Sequence, residues 1–179
     1  MALLKGFLLF ADDFVRSPWE AAGKAAARPS AAAGFAGYAL GALSSALYMQ
    51  LLWGEGGLGS TLNLAVFILI LNLLLALFYS GLSNLFLELL GAHGHAYGLF
   101  VIFGLAEGVK ALLIPGSLVL LAFAAPGLDV LLLLVVLVAE FICALKLIEQ
   151  IYQVRKPQAF LALVSPSLFA AGLVFLSLS

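Results

Sequence analysis

Apolar residues in this chain come in long uninterrupted runs, parted by short segments rich in glycine, proline or charge. Val130 to Val138 is apolar at every position. It therefore lacks the alternation that a half-buried strand or a membrane-barrel strand requires. A helix rises 1.5 Å per residue, so about 20 mainly apolar residues cross the hydrocarbon of a bilayer. Five stretches meet that length: 31–53, 61–90, 97–123, 128–148 and 158–178. They are separated by Gly54-Glu55-Gly56-Gly57, Gly91-Ala92-His93-Gly94, Pro126-Gly127 and Arg155-Lys156-Pro157. Ser60 or Thr61 is the expected cap of the second helix, which is longer than the hydrocarbon needs and should tilt or protrude. The pattern predicts an all-α, polytopic membrane protein, a five-helix transmembrane bundle over residues 31–179.

Residues 1–30 follow another pattern. Leu3, Leu4, Phe7, Leu8, Phe10, Phe14 and Val15 recur at loose helical spacing, with Lys5, Asp12, Asp13 and Arg16 between them. Ser17-Pro18 breaks the run, and Trp19 follows. This predicts a short cytoplasmic interfacial helix with Trp19 and the basic residues at headgroup level. The apolar run after Met1 is too short for a secretory signal, so the start is read as mature protein.

Composition strengthens the membrane reading. Of 179 residues, 65% are hydrophobic and only 9% charged, and the mean hydropathy is +1.21. Soluble domains carry about 25% charged residues, so this chain could not cover a surface facing water. A net charge of −1 gives no reason to expect nucleic acid. Cys143, the one cysteine, excludes an intramolecular disulfide and a multi-cysteine metal site. Lys5, Arg16, Lys24 and Arg28 precede the first span, and Arg155 and Lys156 lie between the fourth and fifth. With five spans, four of them between the two groups, both basic groups fall on one side. The expectation is a multi-pass protein of the plasma (bacterial inner) membrane, N-terminus cytoplasmic and C-terminus outside.

Candidate chemistry is confined to a few polar positions at membrane depth. Glu107 and Lys110 lie near the middle of the third stretch and Glu140 near the middle of the fourth. A lone charge there costs at least about 2.5–3.5 kcal/mol, so these groups should face the bundle and pair. Glu107 and Lys110 share a helix face, and Lys110 could instead reach Glu140 on the neighbouring helix. Asn72 and Asn84, with Ser80 and Ser83, could line the same side from the second span. The cluster is either an ion, proton or polar-substrate site or a structural pair that fixes helix register.

Gly37 and Gly41, with Ser45, and Gly104 and Gly108 form small-xxx-small faces, which let helix backbones approach closely. They serve packing within the chain or self-association. Pro115 and Pro166 should kink the third and fifth helices. His93 and His95 would need further ligands to hold a metal. With no P-loop, HExxH or dinucleotide fingerprint, neither a metal nor a cofactor is expected, and no enzymatic activity or catalytic residue either.

In arrangement the chain resembles the Ypt-interacting-protein (Yip) family, in its short prokaryotic five-span form. The likeness rests on Phe14, Pro18 and Pro29 before the first span, and on Leu89-Leu90-Gly91-Ala92-His93-Gly94-His95 closing the long second span. It continues in Ile114-Pro115 near the end of the third. The resemblance implies a compact five-helix bundle. GTPase binding is not carried over, because the family's long N-terminal region with its Asp-Leu-Tyr-Gly-Pro motif has no counterpart here. Two functions follow as expectations. One is a non-enzymatic membrane scaffold or adaptor that organises lipids or membrane proteins, with the bilayer, a second copy or a membrane-protein partner as its contacts. The other is a small transporter or channel centred on Glu107, Lys110 and Glu140.

Overall fold

A backbone in lipid must satisfy every peptide group internally, and this chain does so with helices. The computed structural model describes residues 16, 17, 20, 30–53, 57–92, 95–122 and 127–178, without the side chains of 173 and 176–178. The elements are α1 (Ala31–Trp53), α2 (Leu58–Leu89), α3 (Ala96–Glu107), a 3₁₀ segment (Gly108–Leu112), α4 (Leu113–Ala122), α5 (Leu128–Tyr152) and α6 (Lys156–Leu178). Among the described residues, four helical stretches are long and apolar enough to cross a bilayer: Ala31–Leu52, Leu58–Leu89, Ala96–Ala122 and Leu128–Tyr152. The chain is thus an all-helical membrane protein, with four such stretches where five were expected. The helix at the place of the fifth, α6, is not among the four. It forms, packs along α2 and α5, and carries Ser165-Pro166-Ser167 near its centre. The interfacial helix expected within 1–30 lies outside the described residues.

Two boundaries differ from expectation for local reasons. Helix α2 starts from Gly57, not from a Ser60 or Thr61 cap. Both hydroxyls instead donate back to the Gly57 carbonyl, at 2.7 and 3.4 Å, as side chains inside a first turn do. Helix α5 continues to Tyr152 before Gln153 turns the chain in the left-handed region, at φ 52°.

The third span, Ala96–Ala122, is the hub. Half of its most apolar stretch (50%) is buried, against 11% in α2 and 17% in α5, whose outer faces are left to lipid. Leu99, Ile102, Leu105 and Leu113 are almost wholly enclosed. Helix α1 lies parallel to it at backbone distance, in the register Gly34 with Val101, Gly37 with Gly104 and Gly41 with Glu107. A Cβ on Gly37 would collide with the Gly104 carbonyl, and one on Gly41 would sit 2.6 Å from the Glu107 carbonyl oxygen. The small-residue faces are therefore used inside the chain. Tyr38 locks this register by donating its hydroxyl to the Phe100 carbonyl at 2.8 Å.

Two more tyrosines fix helix directions. Tyr48 near the end of α1 donates to the Asp129 carbonyl at the start of α5 (2.7 Å). Tyr152 at the end of α5 donates to the His95 carbonyl, which precedes α3 (2.9 Å). Helix α5 therefore runs antiparallel to α1 and α3. Each bond also gives a phenol hydroxyl at an apolar surface the partner it needs.

The prolines act in different ways. Pro115 would clash with the carbonyl four residues before it in a continuous helix. The chain tightens to 3₁₀ over Gly108–Leu112, so that Pro115 falls in the first turn of a new helix, α4. There its missing N–H leaves no bond unmade. The irregular segment lies in the turn before Pro115, in the helix that this proline was expected to kink. Pro166, buried inside α6, deprives the Ala162 carbonyl of its helical donor. Ser83 on α2 supplies a replacement at 2.8 Å, and Ser165 a second at 3.0 Å. Tyr79 and Ser167 share a further bond of 2.7 Å, so α2 and α6 are joined antiparallel.

Thermal melting in detergent checks this packing. Gly37→Ala should destabilise by about 1–3 kcal/mol, as overpacking does. Gly81→Ala, with nothing within 4 Å of its added Cβ, should stay within about 1 kcal/mol of neutral. Ser83→Ala should cost about 0.6–1.7 kcal/mol, the range of interhelical hydrogen bonds in membranes. Equal tolerance at Gly37 and Gly81 would contradict the close α1–α3 approach.

Candidate functional site

Glu107 is the last residue of α3, and the 3₁₀ segment that follows makes three residues one turn. In that geometry positions i and i+3 eclipse, which stacks Lys110 on Glu107. The Lys110 Nζ lies 2.8 Å from Glu107 Oε1 and 2.7 Å from Oε2. Glu140, midway along α5, presents its Oε2 to the same ammonium at 3.5 Å. Asn72, midway along α2, donates its side-chain N–H to Glu107 Oε2 at 3.1 Å. The three ionisable side chains are only 15–19% exposed. Three helices thus converge on one cluster near the middle of their lengths.

The charges do not balance within the cluster. Two carboxylates share one ammonium, and the sharing is unequal. Glu107 takes Lys110 on both oxygens and Asn72 on one, at ordinary hydrogen-bond distances. Glu140 stands further from the ammonium. In a low dielectric, such an excess negative charge calls for a proton or a cation.

A cavity of about 340 Å³ opens beside the cluster, within the size range of small-ligand sites. Its polar wall comprises Glu107, Glu140 and Asn72, and its apolar wall includes Phe103, Phe141 and Leu163. Lys110 does not line it. Tyr38 and Tyr79 also face it, their hydroxyls engaged with Phe100 and Ser167. Helix α2 packs on α1, α3 and α6, while α5 packs on the third span and α6. The cavity fills the space left between α2 and α5.

The other residues singled out in the sequence are placed elsewhere. Asn84 does not join the cluster: it donates to Glu88 on its own helix at 2.6 Å. Twelve residues separate it from Asn72, or about 18 Å of helix. Ser80 bonds the Leu77 carbonyl of its own helix. Gly37, Gly41 and Gly104 hold α1 to α3, and Gly108 is buried at the start of the 3₁₀ segment. Cys143 is a buried free thiol. His95 contributes its backbone carbonyl to Tyr152, and His93 lies outside the described residues. Among those residues no group of three or more His, Cys, Asp or Glu side chains is placed to hold a metal ion. The aromatic wall went unforeseen, since Phe103 and Phe141 are indistinguishable from lipid-facing residues within an apolar run. Tyr38 and Tyr79 carried a fainter signal, a hydroxyl at depth that must find a partner. No family model, curated protein or solved structure matches the chain, so the chemistry of the site is read from its own geometry.

The unequal sharing makes opposite predictions for two substitutions, checked by melting in detergent. Lys110→Met leaves two carboxylates without their cation and should cost about 3–5 kcal/mol. Glu140→Gln leaves the matched Lys110–Glu107 pair and should be neutral or stabilising. A Glu140→Gln variant as unstable as Lys110→Met would mark Glu140 as structural.

Proposed function

We propose that the protein is a small membrane transporter, with its binding site in the cavity faced by Glu107 and Glu140 and its hinge in the 3₁₀ segment. The observation that carries this reading is a carboxylate-lined cavity at mid-depth, next to a helix broken at that same level. Irregular backbone at membrane depth is tolerated where it lines a cavity, and interrupted helices at such sites recur in transporters. Lys110 sits in the break itself, so a ligand that takes Glu140 away from Lys110 acts directly on the hinge. Helix α3 then rocks against α4 about residues 108–112.

The proposed topology has five spans. Its support for α6 is the antiparallel seam with α2 and an outer surface of exposed Leu161, Leu168, Phe169 and Phe175. The tyrosine bonds group the start of α3 with the end of α5, hence with Arg155 and Lys156, on the side where α1 begins. The positive-inside rule makes that side, and the N-terminus, cytoplasmic in the plasma membrane. A scaffold remains the second reading. It needs a face for a partner, yet the glycine face of α1 is consumed against α3.

Cysteine accessibility tests transport without a known substrate. In a Cys143→Ala background, Ala106→Cys on the cavity wall should react with a lipid-soluble maleimide through the lateral opening, and with a small membrane-impermeant thiosulfonate from the one side of sealed vesicles where the cavity releases to water. Pro115→Ala, which permits a continuous helix, should suppress the thiosulfonate reaction and leave the maleimide reaction. A folded Ala106→Cys protein that the maleimide modifies and the thiosulfonate reaches from neither side would end the transporter reading.

A further inference from the structure

The cavity has a definite charge and a definite entrance. Both carboxylates line it, and no basic side chain does. Lys110 is engaged with both oxygens of Glu107, leaving Glu140 as the carboxylate with the weaker hold on the ammonium. The entrance lies between α2 and α5, where Leu75, Leu137 and Phe141 line the cavity while remaining 47%, 41% and 37% exposed. These residues sit near the middle of their helices, so the opening faces hydrocarbon. A molecule approaching there must already be dissolved in lipid.

Size and chemistry narrow the occupant. A bare inorganic cation would leave most of about 340 Å³ unfilled, and a hard divalent ion needs six or more oxygen ligands. The larger part of the wall is apolar and aromatic, suited to a hydrophobic body and to the face-on contacts that cations make with rings. An anion would meet two carboxylates. A neutral molecule would gain nothing from the carboxylates and would leave the excess charge to a proton.

We infer that the cavity takes a lipophilic monovalent cation, such as a hydrophobic amine or a quaternary onium ion, which enters sideways from the bilayer between α2 and α5 with Glu140 as its counterion. This rests on the transporter reading of the same site and names the class of its substrate. Lys110 stays on Glu107 while the bound cation takes over Glu140. The charge of the cluster is then balanced without a proton.

Three probes of one shape and different charge test this: methyltriphenylphosphonium, triphenylethane and methyltriphenylborate, each with the full chain in phosphatidylcholine nanodiscs. The phosphonium should bind saturably, and the neutral isostere at least about tenfold more weakly, the scale of a lost desolvated charge contact. The borate should not bind. Glu140→Gln should weaken phosphonium binding about tenfold or more and leave the neutral compound unchanged. Leu137→Trp, at a lipid-exposed position, should block the entrance to both compounds without altering charge. Equal binding of all three probes, or full phosphonium affinity in both variants, would overturn the inference. Proteoliposome flux separates the two claims. Saturable phosphonium binding without flux overturns transport and supports the ligand class, whereas selective flux of the borate supports transport and overturns the ligand class.

Discussion

A charge at the centre of a bilayer must be answered by another within a few ångströms, and the bundle is arranged around that demand. Lys110 would cost several kcal/mol if it faced lipid. It is answered by Glu107 one 3₁₀ turn earlier and by Glu140 from α5. The pair turns one face of the third span inward and draws the middle of α5 towards it. Asn72 brings in the middle of α2 through the same carboxylate. Buried ion pairs contribute little net stability, and this cluster joins side chains from three helices.

Close packing of α1 on α3 makes that arrangement rigid on one side only. Gly34, Gly37, Gly41 and Gly104 let the two backbones touch, and Tyr38 sets the register. Without a hydrophobic force between helices in lipid, such van der Waals contact is what holds them. On the opposite side α2 and α5 stay apart, bridged by α6, and the cavity occupies the gap. The third span thus has α1 at backbone distance on one side and the cavity on the other.

The two prolines show how one residue type yields rigidity or pliancy. At Pro166 the released carbonyl of Ala162 is taken up by Ser83, and the irregularity becomes a tie between helices. At Pro115 the chain instead reorganises over five residues into 3₁₀ geometry, next to the charged cluster. A compensated proline stiffens its neighbourhood. The other leaves a mid-membrane segment with poorer hydrogen-bond geometry.

Much of this was legible along the chain. Runs of apolar residues set the helices, because lipid tolerates no unpaired backbone, and the first helix begins and ends where its apolar run does. The scarcity of charge singled out Glu107, Lys110 and Glu140, and the glycine spacing singled out Gly37, Gly41 and Gly104. What tertiary structure decided was partnership. It gave Asn72 to Glu107, set 3₁₀ geometry over Gly108–Leu112, and gave Ser83 to a carbonyl on α6. It also made a cavity from Phe103 and Phe141, which any apolar run could contain. Periodicity states which residues lie on one face of one helix. Which face meets which neighbour, and where two helices fail to meet, depends on how all the helices pack together.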